Sequence, residues 1–243
     1  MTAEIAKLRD MIQNSDNIVF FGGAGVSTES GIPDFRSADG LYNEKYAYPP
    51  ETILSHSFFN ANTEEFYKFY REKLLYSDAK PNKAHIALAE LEKQGKLKAV
   101  ITQNVDGLHA AAGSVNVLEL HGSAQRNICV ECNECYPMDI IITSEGIPIC
   151  SCGGVIKPDV VLFEEGLDPY VMKWAVKAIS EADVLIVGGT SLNVYPAAGM
   201  INYYRGNKLV LINKSETSFD RNADLIIRES IGTALSSAVN NCK

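Results

Sequence analysis

NIVFFGGAGVSTESGIPDFR, residues 17–36, is the stretch that decides the fold of this chain. It begins with the apolar run 18–21, which predicts a buried strand. The strand leads into the glycine-rich segment 22–25, and such a turn brings backbone N–H groups close to a phosphate in doubly wound α/β domains. Thr28 stands where a dinucleotide motif has its third glycine, so the motif is weak by itself. An ordinary strand-to-helix turn remains open, although it does not explain the Pro-Asp-Phe-Arg cluster that follows.

The composition is that of an ordinary globular protein. The chain has 243 residues, 46% of them hydrophobic and 21% charged, which predicts one large domain or one domain with an inset. A net charge of −8 argues against binding to nucleic-acid phosphates. No apolar run approaches the roughly 18 residues of a membrane span, and residues 1–14 predict an amphipathic helix rather than an export signal. We expect a monomeric cytoplasmic protein that binds neither nucleic acid nor membrane.

Strands and helices alternate along most of the chain. Further strands are predicted at 98–102, 117–120, 160–163, 184–188, 208–213 and 225–227, and helices at 62–74, 81–95, 168–182, 196–204 and 231–239. Continuously apolar strands between helices predict an α/β fold with a Rossmann-like, doubly wound parallel sheet. Residues 37–61 show no clear periodicity, and we expect a loop there that covers the ligand of the glycine-rich turn.

Five of the six cysteines are concentrated in one short segment. In a chain without an export signal, this arrangement favours a metal site in a reducing compartment over disulfides. Cys129-x-x-Cys132 and Cys150-x-Cys152 can each clamp one edge of a tetrahedral zinc ion, and four thiolates would make the site structural. Cys135 forms an equally well-spaced pair with Cys132, so it remains an alternative ligand.

Polar side chains follow three of the predicted strands: Gln103, Asn104 and Asp106, then His121, then Thr190 and Ser191. The carboxyl ends of parallel strands meet at one sheet edge, where ligands bind. A lone histidine is more often structural, but His121 shares this edge with amide and carboxylate groups and could accept a proton from a sugar hydroxyl at neutral pH. Asn104 and Asp106 could equally be turn residues, and the two hydroxyl residues could cap a helix.

These residues belong to five motifs that resemble the sirtuin family, in the order that the family has them. The motifs are GAGVS at 23–27 with GIPDFR at 31–36, TQNVDGLH at 102–109, LHG at 120–122, the cysteine pairs, and GTSLNVYPAA at 189–198. The resemblance implies an NAD-dependent protein lysine deacetylase, in which NAD lies in a cleft between a Rossmann-like domain and a small zinc domain. Acetylated proteins or peptides would be its partners.

The resemblance also implies roles for individual residues. The implied NAD-binding residues are Ala24, Thr28, Phe35, Arg36, Gln103, Val105, Asp106, His121, Thr190, Ser191, Asn213 and Ile231, and the implied catalytic residues are His121 and Asn104. The peptide would add as a strand beside Val160, Val161 and Phe163 on one side and Val194 on the other. His121 would act as general base on a ribose hydroxyl, and the products would be nicotinamide, free lysine and O-acetyl-ADP-ribose.

The domain organisation follows from the motifs and their order. Residues 1–38, 83–122 and 157–243 are expected to form the Rossmann-like domain, 39–82 a helical inset with the cofactor loop, and 123–156 the structural zinc module.

The chain departs from the family pattern in three places. One residue rather than two separates the second cysteine pair, and Glu164 stands where glycine is usual in the peptide groove. The tyrosine and arginine, three apart, of the family's desuccinylases are absent, since Arg71 comes one residue too late after Tyr67. We therefore expect neutral acyl groups, acetyl first. Transfer of ADP-ribose to protein, removal of longer acyl chains, and a non-catalytic NAD or ADP-ribose sensor are the alternatives.

Overall fold

The computed structural model describes residues 2–35, 37, 40–43 and 46–239. Its strands are β1 (Ile18–Gly22), β2 (Leu97–Thr102), β3 (Val117–Glu119), β4 (Gly122–Cys129), β5 (Cys135–Pro137), β6 (Ile156–Val160), β7 (Val184–Gly188), β8 (Leu209–Ile212) and β9 (Leu225–Ile227). Six of them form a parallel sheet in the order β3-β2-β1-β7-β8-β9, and β5-β4-β6 form a small antiparallel sheet. The large sheet has the strand order of a doubly wound dinucleotide-binding fold. The predicted α/β class and Rossmann-like sheet are confirmed.

Helices cover both faces of the large sheet. They are α1 (Ala3–Gln13), α2 (Pro50–Ile53), α3 (His56–Ala61), α4 (Thr63–Lys73), α5 (Lys83–Lys93), α6 (Leu108–Ala111), α7 (Asp139–Thr143), α8 (Pro169–Glu181) and α9 (Ile231–Val239). On one face α5 and α9 bury Leu88 and Leu235 in a cluster that contains Phe20. On the other face α8 buries Ile179 in a cluster that contains Phe21. Successive strand residues point to opposite faces, so β1 serves both clusters.

Helices α2 to α4 form a third apolar cluster with the cysteine-rich module. Phe66, Tyr67 and Tyr70 are fully buried there, and the same cluster contains Cys129 and Ile156 from the small sheet. The helical inset and the small sheet therefore pack on each other. The three-part division of the chain at 39–82 and 123–156 stays a prediction.

Two expectations about local structure are wrong. Residues 37–61 contain α2 and α3 rather than only a loop, because aromatic residues without a regular period bury themselves in the third cluster. The strand expected at 160–163 lies earlier, as β6, and pairs with β4 in the small sheet. The helix expected at 196–204 is present, as the 3-10 helix Ala197–Tyr203. Among the described helices, none combines the length and apolar character needed to cross a membrane.

Candidate active site

The turns that follow β1 and β7 pack backbone against backbone. The Gly25 N–H donates to the Gly189 carbonyl over 2.8 Å, and the Gly23 N–H donates to the Gly188 carbonyl over 3.3 Å. A Cβ atom at Gly25 would lie 2.8 Å from the Gly189 Cα, and one at Gly189 would lie 2.4 Å from the Val26 nitrogen. These glycines are therefore required for the close approach of two turns, as well as for any approach of a ligand.

Among residues 23–27 of the first turn, one backbone donor is left over. The Val26 N–H donates to the Gly23 carbonyl and the Ser27 N–H to the Ala24 carbonyl. Among the described residues, the Ala24 N–H has no acceptor. A phosphate oxygen could use this donor, and Ala24 is one of the residues that the resemblance implies for NAD binding. The nearby Thr28 is exposed, and its hydroxyl donates to the Gly25 carbonyl over 3.0 Å.

A buried serine joins this turn to the end of β2. The Ser27 side chain is 1% exposed, and its hydroxyl donates to Asp106 Oδ2 over 2.6 Å. The Ser27 hydroxyl oxygen in turn accepts from Asn104 Nδ2 over 3.1 Å. The other carboxylate oxygen of Asp106 accepts from the Leu108 N–H over 2.9 Å, at the start of α6. We call Ser27, Asn104 and Asp106 the Ser27 network. The sequence reasoning did not select Ser27, although its position directly after the Gly-Ala-Gly-Val run was a usable signal.

A second polar contact joins the ends of β2 and β7. The side-chain amide of Gln103 donates to the Thr190 hydroxyl over 3.1 Å, and that hydroxyl accepts from the Leu192 N–H over 3.2 Å. Thr190 is thus a link between strand ends, while Ser191 beside it is half-buried. The Val105 carbonyl accepts from the Ala124 N–H of β4 over 2.8 Å, which ties this loop to the small sheet.

His121 lies just beyond β3, next to these groups. Its Nδ1 is 2.8 Å from the Gln103 carbonyl oxygen. A carbonyl oxygen can only accept, so Nδ1 holds the proton and Nε2 of the neutral ring has the free lone pair. Burial lowers the pKa of His121, and the hydrogen bond to the Gln103 carbonyl opposes this shift only in part. The imidazole is therefore neutral near pH 7, with Nε2 able to accept a proton.

The chain is bent sharply after His121. Gly122 has φ +74°, and a Cβ atom there would lie 2.0 Å from the Asp159 carbonyl oxygen of β6. Glycine at position 122 therefore lets the backbone of β6 pack directly against the first residue of β4.

Three other described residues are implied in NAD binding: Phe35, Asn213 and Ile231. Phe35 packs edge-on against Tyr42, with ring centroids 5.6 Å apart, next to the third cluster. Asn213 follows β8, and its side-chain amide donates to the Ser215 carbonyl over 2.9 Å. The Ile231 side chain is 5% exposed and belongs to the apolar core, so its backbone is the part that a cofactor could contact. Arg36 lies outside the described residues.

The implied peptide edge already uses some of its backbone groups within the chain. The Phe163 N–H donates to the Leu54 carbonyl, and its carbonyl accepts from the His56 N–H, both over 2.9 Å. The Val161 N–H donates to the His121 carbonyl over 3.0 Å. A peptide strand would therefore pair here with other groups of the segment, or would have to open these contacts.

Two further residues of that edge, and Glu164 beside them, have identified partners. The Val160 carbonyl accepts from Lys157 Nζ over 3.1 Å, and the Val194 carbonyl accepts from a backbone N–H four residues later. Glu164 has φ +76°, an unfavourable value for a residue with a side chain. Its carboxylate accepts from both the N–H and the hydroxyl of Ser57, each over 2.9 Å, at the start of α3. These two bonds offset the backbone strain.

Four cysteines of the small module form a compact cluster. The Sγ atoms of Cys129, Cys132, Cys150 and Cys152 all lie within 4.8 Å of one another, with 3.4 Å between Cys129 and Cys152. A tetrahedral zinc with Zn–S bonds of about 2.3 Å separates its sulfurs by roughly 3.8 Å, so the cluster fits one zinc ion with a closed coordination sphere. Cys135 is exposed and outside the cluster, and the alternative that made it a ligand is wrong.

Neighbouring groups support this cluster. Gly154 lies so close that a Cβ atom there would be 2.7 Å from Cys129 Sγ. The Tyr136 hydroxyl donates to Cys150 Sγ over 3.1 Å. Hydrogen bonds of this kind orient metal ligands and reduce the charge on a thiolate. The Cys-x-Cys spacing is therefore compatible with the metal site.

The model of the Sir2 family matches residues 23–196. The chain belongs to the Sir2 family, the sirtuins. An NAD-dependent protein deacetylase of Clostridium perfringens (strain 13 / Type A) is 61% identical over 244 residues, which cover 99% of this chain and 100% of that protein. A Sir2 homologue solved in complex with NAD has a TM-score of 0.87 at 42% identity, covering 98% of this chain and 93% of its own. A Sir2 structure solved with a p53 peptide and NAD+ has a TM-score of 0.85 at 39% identity, covering 97% and 96%.

Proposed function

We propose that this sirtuin is an NAD-dependent protein lysine deacetylase that uses His121 as its general base. The observation that supports the role best is the hydrogen bond between His121 Nδ1 and the Gln103 carbonyl, which leaves Nε2 as the proton acceptor. The 61% identity to a curated deacetylase over the whole chain supports the activity. The co-substrate is NAD, and the partners are acetylated proteins or peptides.

The residues at the sheet edge divide the work of the reaction. NAD, when bound, would supply the ADP-ribosyl group: nicotinamide would leave as the acyl oxygen of the substrate lysine bonds to the ribose carbon, and a ribose hydroxyl would afterwards take the acetyl group. The Ala24 N–H binds a phosphate oxygen. The Ser27 hydroxyl holds Asn104 and Asp106 at the ribose and nicotinamide. His121 Nε2 takes the proton of a ribose hydroxyl and so makes that oxygen a nucleophile.

Zinc has a structural role in this proposal. Four thiolates leave no open position for water or substrate, so the ion would hold the small module together without taking part in the reaction. The module in turn supports α4, because the Tyr67 hydroxyl donates to the Ile156 carbonyl of β6.

The contacts of Tyr67 and Arg71 favour neutral acyl groups over acidic ones. The Arg71 guanidinium donates to the Ile141 carbonyl over 2.7 Å and to the Gly146 carbonyl over 2.5 Å, and the Tyr67 hydroxyl is buried on a carbonyl. Both side chains therefore stabilise the inset and are not available to bind a succinyl carboxylate. Acetyl-lysine is the expected first substrate.

The location and state of the protein are part of the proposal. A cluster of reduced thiols suits the cytoplasm, and the net charge of −8 suits protein rather than nucleic-acid partners. We propose that the enzyme acts as a monomer away from membranes, which light scattering of the purified chain would test.

A product analysis tests the activity. The protein is incubated with NAD and an acetyl-lysine peptide, with His121→Ala as control, and all products are followed by mass spectrometry. Deacetylation requires nicotinamide, free peptide and O-acetyl-ADP-ribose in equal amounts, all lost in the variant. A mass-shifted protein would indicate ADP-ribose transfer instead. Binding of NAD without turnover would indicate a sensor, and a peptide panel from acetyl to long-chain and succinyl would rank the acyl groups.

A further inference from the structure

Two side chains connect the turn after β1 to the amino ends of two helices. This turn contains short 3-10 segments at 24–26 and 28–30, with Ser27 between them. It stands at the edge of the sheet, and its position sets both the Ala24 N–H and the Ser27 network. The residues that fix it are therefore relevant to NAD binding.

Asn82 makes the first connection. It is the N-cap of α5, and its Oδ1 accepts from the Ala84 N–H over 2.8 Å. Its Nδ2 donates to the Val26 carbonyl over 2.8 Å and to the Ser30 hydroxyl over 3.0 Å. One amide thus caps the helix with its oxygen and holds the turn, on both sides of Ser27, with its nitrogen.

Glu29 makes the second connection. Its Oε1 accepts from the Gly232 N–H at the start of α9 over 2.8 Å. A carboxylate is favoured there by the partial positive charge of a helix amino end. Gly232 gives it room, since a Cβ atom at that position would lie 2.5 Å from Glu29 Oε2.

The two helices provide a rigid support. Both α5 and α9 contribute buried residues to one apolar cluster under the sheet, among them Leu88 and Leu235. We propose that Asn82 and Glu29 are positioning residues that clasp the turn to this support and so keep it in the form that binds NAD. The proposal rests on the proposed function and extends it to residues that need not touch the ligand.

Four variants separate the clasp from ordinary helix capping. Asn82→Asp keeps the oxygen that caps α5 but loses the donor to Val26 and Ser30. Glu29→Ala removes the contact with α9, whereas Glu29→Gln keeps an acceptor for the Gly232 N–H. Asp168→Ala is the matched control, because Asp168 caps α8 by accepting from two backbone N–H groups, and neither of these bonds involves the turn.

Affinity for NAD is the decisive measurement. Because each removes hydrogen bonds that hold the turn, Asn82→Asp and Glu29→Ala should each raise KM for NAD and Kd for ADP-ribose about 3- to 10-fold. Their kcat and peptide KM should change less than about twofold, and Glu29→Gln should recover most of the loss. Asp168→Ala should lower Tm without changing KM for NAD or Kd for ADP-ribose.

Wild-type constants in Asn82→Asp and Glu29→Ala, with Tm preserved, would overturn the clasp. Calorimetry with ADP-ribose needs no turnover, so it tests the clasp even where deacetylation is not observed. A wild-type protein that binds ADP-ribose but releases no nicotinamide would refute the proposed function and leave the clasp to be judged on these affinities.

Discussion

Substitution of Ser27 by alanine tests the centre of the proposed site. The change removes a bond to the Asp106 carboxylate at 2.6 Å and a bond from the Asn104 amide at 3.1 Å. A hydrogen bond to a charged group contributes about 1.5–3 kcal/mol and one between neutral groups about 1 kcal/mol, so about 2.5–4 kcal/mol of interaction is lost. We expect about half of this energy to be lost from the stabilisation of the transition state. Because about 1.4 kcal/mol corresponds to a factor of ten, kcat/KM for NAD should fall about 10- to 30-fold.

Ser15→Ala is the matched control. Ser15 is also buried, and its hydroxyl lies 3.3 Å from an oxygen of Asp183 and accepts from the Asn17 N–H over 3.3 Å. It stands just before β1, at the opposite edge of the sheet from His121. Release of nicotinamide is measured at varied NAD for both variants, with Tm recorded for each. Equal kcat/KM in the two variants would refute the reasoning, because it would reduce Ser27 to a stabilising residue.

Three further predictions concern pH and metal. Burial lowers the pKa of His121, so the acidic limb of the pH profile of kcat/KM should lie below pH 6.5, and a limb above that value would contradict a neutral base. Burial, with the nearby His85 ring, lowers the pKa of His109 to about 3. Between that pH and about 6.5, the unfolded chain therefore binds a proton at His109 that the folded protein does not. The free energy of unfolding should fall as pH drops through this range. Denaturant titrations should show a flatter decline in His109→Phe. Elemental analysis should find that Cys132→Ser has lost zinc, and this variant should have a lower Tm, whereas Cys135→Ser should keep both its zinc and its Tm. Zinc loss in Cys135→Ser would contradict the four-cysteine site.

Local patterns in the sequence identified most of the sheet and the metal site. The apolar runs at 184–188 and 225–227 correspond to β7 and β9, because strands covered by helices on both faces must be apolar throughout. The cysteine spacing selected the four cysteines whose sulfurs cluster in space, since two short pairs are the simplest way to place four thiolates around one ion. Both signals are contained within a few neighbouring residues.

Two segments could not be read in this way. Residues 50–61 form α2 and α3 by burying Phe58 and Phe59 against other parts of the chain. No regular spacing of apolar residues in the sequence predicts these two helices. The apolar run at 160–163 resembles a core strand, but its Phe163 is bridged to Ser55 of the inset. Short apolar runs do not specify which partner they will pack against.

The amino-acid sequence by itself determined the family, the parallel sheet and the four clustered cysteines. Each of these is indicated by a motif or a hydrophobic pattern that extends over only a few neighbouring residues. Only the tertiary structure decided that Ser27 bonds to Asp106, 79 residues away, and that Asn82 holds the turn containing Ser27. It also decided the tautomer of His121, which depends on a backbone carbonyl of the neighbouring strand end. Such contacts are set by which strand ends and helix ends meet in space, and the residues that form them are ordinary Ser, Asn and Gln until the fold brings them together.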